Sequence, residues 1–176
     1  MRCIYLVLSQ TGTVLSRTIK FVTKKEYNHI SLALDSSLVN MYSFGRKYPN
    51  NPFVGTFVIE GIDRGTFLKF YDTRCKVVCL SVSDDQYNKL LFNVNRMVDE
   101  KGRYKYNLIG LFMAAFGVHF SVQDKFYCSE FVRYILDLSD IDVSLIPSIC
   151  HPVDFMVLSE SVIYEGFLRD YCEGNF

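Results

Sequence analysis

A cysteine and a histidine stand at sequence positions that suit nucleophilic chemistry. Cys128 opens a segment of helical apolar spacing, and a helix N-terminus stabilises a thiolate because its unpaired N–H groups and its dipole favour negative charge. His29 begins a segment that alternates like a strand, and a histidine close to the sulfur would serve as its base. Taken alone, Cys128 also fits a core thiol, and His29 also fits a histidine bonded to a carbonyl or to solvent.

The apolar pattern predicts a mixture of strands and helices that would position these two residues. A hairpin is expected to begin at His29, to turn at residues 35–37 and to return over residues 38–44. Helices are expected behind the N-cap Ser83, over residues 108–116, and over residues 127–138, where Cys128 lies at the beginning. The other expectations are strands at 3–8, 56–60, 76–82 and 162–164, a short helix between Gly12 and Val22, a surface loop from Gly45 to Gly55, and a sheet of five or six strands.

Composition and charge limit the classes of function. Hydrophobic residues make up 49% of the 176 residues, which predicts a single folded domain over 1–176. Nineteen Lys and Arg balance nineteen Asp and Glu, so nucleic acid is not expected as a partner. No apolar run is long enough to predict a membrane span or a signal peptide, and we expect a cytoplasmic protein whose six cysteines stay reduced.

Three segments in chain order carry a resemblance to a known family. They are Asn-His-Ile-Ser-Leu-Ala-Leu-Asp at 28–35, Met-Tyr-Ser-Phe-Gly-Arg-Lys at 41–47 and Phe-Tyr-Cys-Ser-Glu-Phe-Val at 126–132. They resemble the circularly permuted NlpC group of papain-like cysteine hydrolases, including its YiiX-like branch. The resemblance implies an α+β fold in which a mainly antiparallel sheet packs against helices, with the histidine strand before the cysteine helix.

The resemblance also implies a third polar residue that orients the histidine. The predicted hairpin puts Ser43 near His29, so Ser43 is the first choice for this role, although the family more often has Glu, Gln, Asn or His there. Glu60 from another strand and the absence of any third residue remain alternatives. The backbone N–H of Cys128 would stabilise a developing oxyanion, with a hydroxyl from Tyr27 or Tyr42 as a possible addition.

The expected reaction is acyl transfer from an amide or ester to water through a Cys128 thioester, without a cofactor. The resemblance favours a small peptide-like substrate, such as fragments derived from peptidoglycan. Lipid esters, as in relatives resembling lecithin retinol acyltransferase, and a catalytically inactive binding domain of the same fold are the alternatives. The oligomeric state stays open.

Other polar residues could serve as metal ligands or as an acid catalyst, but their spacing in the sequence does not favour either role. Cys75, Cys79 and the Cys150-His151 pair match no common zinc-ligand spacing. Glu130 follows Cys128 by two positions and would point away from it on a helix, so we expect a solvated or structural carboxylate rather than an acid catalyst.

Overall fold

The computed structural model describes residues 1–11, 23–48, 51–158 and 161–173. The short helix expected between Gly12 and Val22 falls outside these ranges. The described strands are β1 (Arg2–Gln10), β2 (His29–Ala33), β3 (Met41–Tyr48), β4 (Asn51–Glu60), β5 (Arg74–Val82), β6 (Lys105–Tyr106), β7 (Lys125–Phe126) and β8 (Ser161–Phe167). The described helices are α1 (Gly65–Lys69), α2 (Asp84–Asp99), α3 (Leu108–Ala115) and α4 (Cys128–Asp137), with 3₁₀ helices at Pro152–Leu158 and Leu168–Asp170.

The described strands form one sheet in the order β7-β6-β4-β3-β2-β1-β5-β8. All neighbouring strands are antiparallel except β6 and β7, which are parallel. The chain is therefore a single compact α+β domain with a mainly antiparallel sheet, as expected. The expected count of five or six strands is wrong, because the two-residue strands β6 and β7 are too short to show a period in the sequence.

The loop expected from Gly45 to Gly55 is also wrong. β3 continues to Tyr48 and β4 already begins at Asn51. The register between these strands shifts between Arg46 and Tyr48, and such an irregularity tolerates a proline that a regular ladder would exclude. Pairing between β3 and β4 thus extends over most of the expected loop, while its residues 49 and 50 lie outside the described ranges.

Two apolar clusters cover the two faces of the sheet. The larger one packs α4 and α2 against the central strands, and Phe44 and Phe57 each meet Phe131 of α4 with ring centroids 5.4 and 5.6 Å apart. The smaller one packs Phe67 of α1 and the end of the chain on the other face. Among the described helices, none combines the length and the apolar character needed to cross a membrane.

Helix α2 begins as its sequence predicts. The Ser83 side chain accepts a hydrogen bond from the Gln86 backbone N–H, and the Gln86 side chain accepts one from the Ser83 N–H. Such a capping box satisfies two N–H groups that the first helical turn leaves without partners. The helix then buries Leu90, Val94 and Met97 against the larger cluster.

Candidate active site

Helix α4 holds Cys128 as its first residue. One stripe of the helix buries Phe131, Val132 and Ile135, which anchors it on the sheet. The Glu130 carboxylate accepts a hydrogen bond from the backbone N–H of Tyr127, the N-cap residue, at 3.4 Å. The backbone N–H groups of the first turn have no acceptor within the helix, so Cys128 lies where backbone dipoles favour negative charge.

The approach to this helix is fixed by the parallel pair β6–β7. Tyr106 lies opposite Phe126, and the Asn107 N–H donates to the Phe126 carbonyl at 2.9 Å. The Asn107 amide also donates to the Phe120 carbonyl at 3.0 Å and to the Glu130 carboxylate at 3.4 Å. The entry to α4 is therefore tied to the beginning of α3, and Glu130 has the structural role expected of it.

His29 is the first residue of β2, and its ring is oriented by a carboxylate. Its Nε2 lies 2.8 Å from Oε2 of Glu60, and the Ser31 hydroxyl donates to the same oxygen at 2.6 Å. A carboxylate oxygen accepts only, so Nε2 carries the proton that faces Glu60. Nδ1 is then the ring nitrogen left to face the nucleophile. The side chains of His29 and Glu60 are only 16% and 9% exposed, so solvent weakens their pairing little.

A glycine in the intervening strand makes room for this contact. A Cβ added at Gly45 would lie 3.2 Å from Oε1 of Glu60 and 3.6 Å from Cε1 of His29. The distance to Oε1 is tighter than usual and the distance to Cε1 is ordinary contact, so a side chain at this position would press on the carboxylate. Gly45 therefore lets Glu60, which lies two strands away from β2, reach the histidine.

The Cys128 side chain lies on another side of the His29 ring, near enough to affect its charge. Burial alone disfavours the imidazolium, but the Glu60 carboxylate and the nearby Cys128 outweigh it and raise the pKa of His29 to about 10. His29 is thus protonated at neutral pH between a carboxylate and a sulfur. The structure brings together the two residues that the sequence singled out, which stand 99 positions apart.

Ser43 does not make the contact expected of it. It is fully buried, and its hydroxyl donates to the Ile30 carbonyl at 2.7 Å. Glu60, the alternative, has the position beside His29 instead. The physical reason is the strand register: Leu32 pairs with Tyr42 and Ala33 with Met41, which places Gly45 rather than Ser43 opposite His29, and Glu60 reaches the ring past this glycine.

Neither of the two tyrosines considered as hydroxyl donors is free to act at the sulfur. The Tyr27 hydroxyl donates to Glu165 at 3.2 Å, and Tyr42 lies at the far end of β3, where its charged neighbours are Asp35 and Arg64. Tyr106, which the sequence did not single out, lies near Cys128 instead. Burial first and then the charge of nearby Cys128 raise the pKa of Tyr106, so its hydroxyl stays protonated close to the sulfur.

The side chain of Tyr106 packs against β4 at Gly55. A Cβ added at Gly55 would come within 2.5 Å of the Tyr106 ring carbon Cγ. Only glycine leaves the ring this space. The sequence signal for Tyr106 was the segment Tyr-Lys-Tyr-Asn before the cysteine helix, but nothing in it distinguished Tyr106 from Tyr104.

A pocket lies beside Cys128. It is lined mainly by small and apolar groups, and none of its lining residues is Asp, Glu, Lys or Arg; the lining residues are Thr23, Tyr27, Asn28, Leu111, Ala114, Ala115, Tyr127, Cys128, Ser129, Cys150, His151 and Pro152. Burial chiefly lowers the pKa of His151, which keeps this second histidine neutral. The pocket therefore suits an uncharged group.

The remaining cysteines lie in other surroundings. Burial raises the pKa of both Cys75 and Cys150 to about 12, so neither forms a thiolate at neutral pH. Within the described ranges, no three His, Cys, Asp or Glu side chains group closely enough to hold a metal ion.

Comparisons with known proteins find no match. No family model matches the sequence, no curated protein is similar to it, and no solved structure resembles its fold closely enough to be identified. The chemistry of this site is therefore argued from its own geometry.

Proposed function

We propose that this protein is a cysteine hydrolase that cleaves an amide or ester bond with Cys128, His29 and Glu60. The observation that supports it is the position of His29, whose ring contacts Glu60 through Nε2 at 2.8 Å and lies near Cys128. This is the order of nucleophile, base and orienting group that covalent acyl transfer needs.

The first half of the reaction follows from the protonation of His29. The imidazolium stabilises a Cys128 thiolate, which attacks the carbonyl carbon of the substrate. The developing oxyanion would meet the free backbone N–H groups at the beginning of α4, with the protonated Tyr106 hydroxyl as a further donor nearby. His29 then gives its proton to the leaving amine or alcohol, and a thioester on Cys128 remains.

The second half reverses these roles. Neutral His29 removes a proton from water, which attacks the thioester and releases the acid and the thiolate. Glu60 touches only His29 and Ser31 in this scheme, so it is a positioning residue. Its charge fixes the ring tautomer and compensates the imidazolium each time it forms.

The fold family belongs to the same proposal. A histidine on an early strand, a nucleophile on a later helix and a carboxylate on a further strand are the parts of a papain-like site in permuted chain order. The family more often has a residue such as Glu than Ser at the third position, so Glu60 fits the family pattern better than Ser43. We also retain the cytoplasm as the proposed location.

A small uncharged acyl group is the proposed substrate feature. The pocket beside Cys128 has no Asp, Glu, Lys or Arg in its lining, and its one histidine, His151, is neutral. A peptide-like amide with a small side chain, such as a peptidoglycan-derived fragment, fits this polarity.

A lipid ester is the second candidate substrate. Helix α3 contributes Leu111, Ala114 and Ala115 to the pocket, while its neighbouring side chains Ile109 and Phe112 are 64% and 44% exposed. An apolar surface beside an apolar pocket would accept an acyl chain longer than the pocket itself.

The test is the rate of iodoacetamide labelling at each cysteine between pH 5 and pH 10, measured by peptide mass spectrometry. We expect Cys128 to react fastest near neutral pH, because thiolate and not thiol is the nucleophile. The variant His29→Ala should lose this advantage. His151→Ala is the matched control, since it removes a histidine from the same pocket without touching Glu60, and it should label like wild type.

Turnover is then measured with small amide and ester substrates and with acyl esters of increasing chain length. Cys128→Ser should abolish it, and Cys150→Ser should not. If Cys128 labels no faster than the buried Cys150 and no substrate is cleaved, an inactive binding domain is the correct interpretation. A rate that rises with chain length would favour the lipid ester.

A further inference from the structure

Two cysteines far from the candidate active site lie side by side on the sheet. In the antiparallel pair β1–β5, Cys3 lies opposite Ser81 and Tyr5 lies opposite Cys79. Cys3 and Cys79 are therefore diagonal neighbours on adjacent strands, and alternation along each strand points both side chains to the same face.

Their sulfur atoms are in close contact. The Sγ atoms of Cys3 and Cys79 are 2.7 Å apart, which is only about 0.7 Å longer than an S–S bond. The backbone of both strands is held by the surrounding ladder of paired residues from Arg2 to Gln10. The two sulfurs therefore need to move only a short distance to reach bonding distance.

The pair is also accessible to a small oxidant. Cys3 is exposed, and Cys79 is 9% exposed directly beneath it. Cys75, Cys128 and Cys150 are buried, and Cys172 is the other exposed cysteine among the described residues. Reactivity towards oxidants follows access as well as thiolate character. Cys3 is therefore a cysteine that an oxidant can reach and that already has a second thiol in contact.

We propose that Cys3 and Cys79 form a reversible disulfide that responds to a peroxide or to a disulfide such as oxidised glutathione. With hydrogen peroxide, the Cys3 thiolate attacks one oxygen and breaks the O–O bond, which gives a sulfenic acid and, after protonation, one water. The Cys79 sulfur then attacks the sulfenic sulfur, loses its proton and releases a second water. Two thiols are oxidised by two electrons, and the peroxide is reduced to two waters.

The bridge would join residues 76 positions apart and so constrain the unfolded chain over nearly half its length. Its place on β1 separates it from the candidate active site. Cys3 lies near the beginning of this strand, whereas Ser9 near its other end pairs with His29. Oxidation of the pair should therefore stabilise the fold and leave the reactivity of Cys128 unchanged.

The experiment equilibrates the full chain with reduced and oxidised glutathione at a series of ratios, natively and in 8 M urea. Free thiols are blocked and the peptides mapped without reduction. We expect a Cys3–Cys79 linkage whose equilibrium constant is about a hundredfold larger in the native protein than in urea. Oxidation with limiting hydrogen peroxide should give the same linkage and raise the melting temperature.

Cys3→Ser removes the linkage and the shift in melting temperature, and Cys172→Ser, which removes the other exposed thiol, changes neither. Equal equilibrium constants in native buffer and in urea would overturn the proposal. So would a bridge from Cys3 to Cys172, or a glutathione adduct at Cys3 as the only product. Cys128 labelling is read from the same peptides, so failure here is distinguished from failure of the proposed hydrolase.

Discussion

Replacing Glu60 by Gln tests the charge that holds His29 protonated. In the wild-type protein the pKa of His29 is raised to about 10, compared with 6.5 for an unperturbed histidine. The imidazolium therefore contributes stability that is complete below about pH 6.5 and is lost as the pH rises towards 10. Glutamine keeps the size and the hydrogen-bonding oxygen but removes the charge, so the buried ring of the variant should be neutral.

The size of the effect follows from the interval between the working pH and this pKa. From pH 7 to a pKa of about 10 is three pH units, and each unit is worth about 1.4 kcal/mol. The free energy of unfolding should therefore fall at pH 7 in Glu60→Gln by at most about 4 kcal/mol, because Cys128 contributes part of the rise in pKa and stays in place. Between about pH 7.5 and 9.5 the difference from wild type should shrink by about 1.4 kcal/mol per pH unit, and near pH 10 it should vanish.

Urea unfolding followed by circular dichroism at several pH values measures these differences directly. Glu165→Gln is the matched control, because it removes one carboxylate from the Tyr27 hydroxyl on a neighbouring part of the sheet and leaves His29 untouched. Its difference from wild type should not follow the same slope. A constant difference between Glu60→Gln and wild type across this pH range would refute a protonated His29 and, with it, the proposed ion pair.

Three further substitutions test how the site is supported. Ser43→Ala should lower the free energy of unfolding by about 1–2 kcal/mol, because a buried hydrogen bond to a backbone carbonyl is lost, while iodoacetamide labelling of the nucleophile keeps its wild-type pH dependence; a changed pH dependence would restore Ser43 as an orienting residue. Gly55→Ala should lower the free energy of unfolding by about 1–3 kcal/mol in chemical unfolding, because the new methyl group would meet the Tyr106 ring. Gly102→Ala is the control, because a Cβ at that position has nothing within 4 Å. Equal effects of the two substitutions would contradict the contact. Ser83→Ala should cost about 1 kcal/mol in thermal unfolding by removing the helix cap, and an unchanged melting temperature would show that the cap contributes nothing.

The sequence predicts the residues whose chemistry is local and misses those whose role depends on how strands meet. Cys128 is recognisable because a helix start can be identified from apolar spacing, and His29 because it begins a strand. Glu60 was only an alternative, since its contact with His29 crosses the intervening strand β3. The predicted turn at residues 35–37 placed Ser43 opposite His29, but the observed register pairs Leu32 with Tyr42 and so places Gly45 there.

Short strands and close contacts limit the prediction of the fold in the same way. The pairs formed by β6 and β7 hold only two residues each, too few for alternation to be detected. Gly45 and Gly55 gave the impression of loop boundaries in the sequence. In the structure both are strand residues, and their missing side chains leave space for Glu60 and Tyr106.

The separation of the three site residues along the chain also bears on synthesis and folding. His29 and Glu60 are joined through strands that pair as consecutive hairpins, whereas Cys128 comes from a helix encoded about a hundred residues after His29. Contacts of long sequence separation carry the larger loop-closure cost and form late. In a nascent or misfolded chain Cys128 would be an ordinary thiol. On the proposed function it would become reactive only when α4 packs on the sheet, so the rate of Cys128 labelling can report the last step of folding.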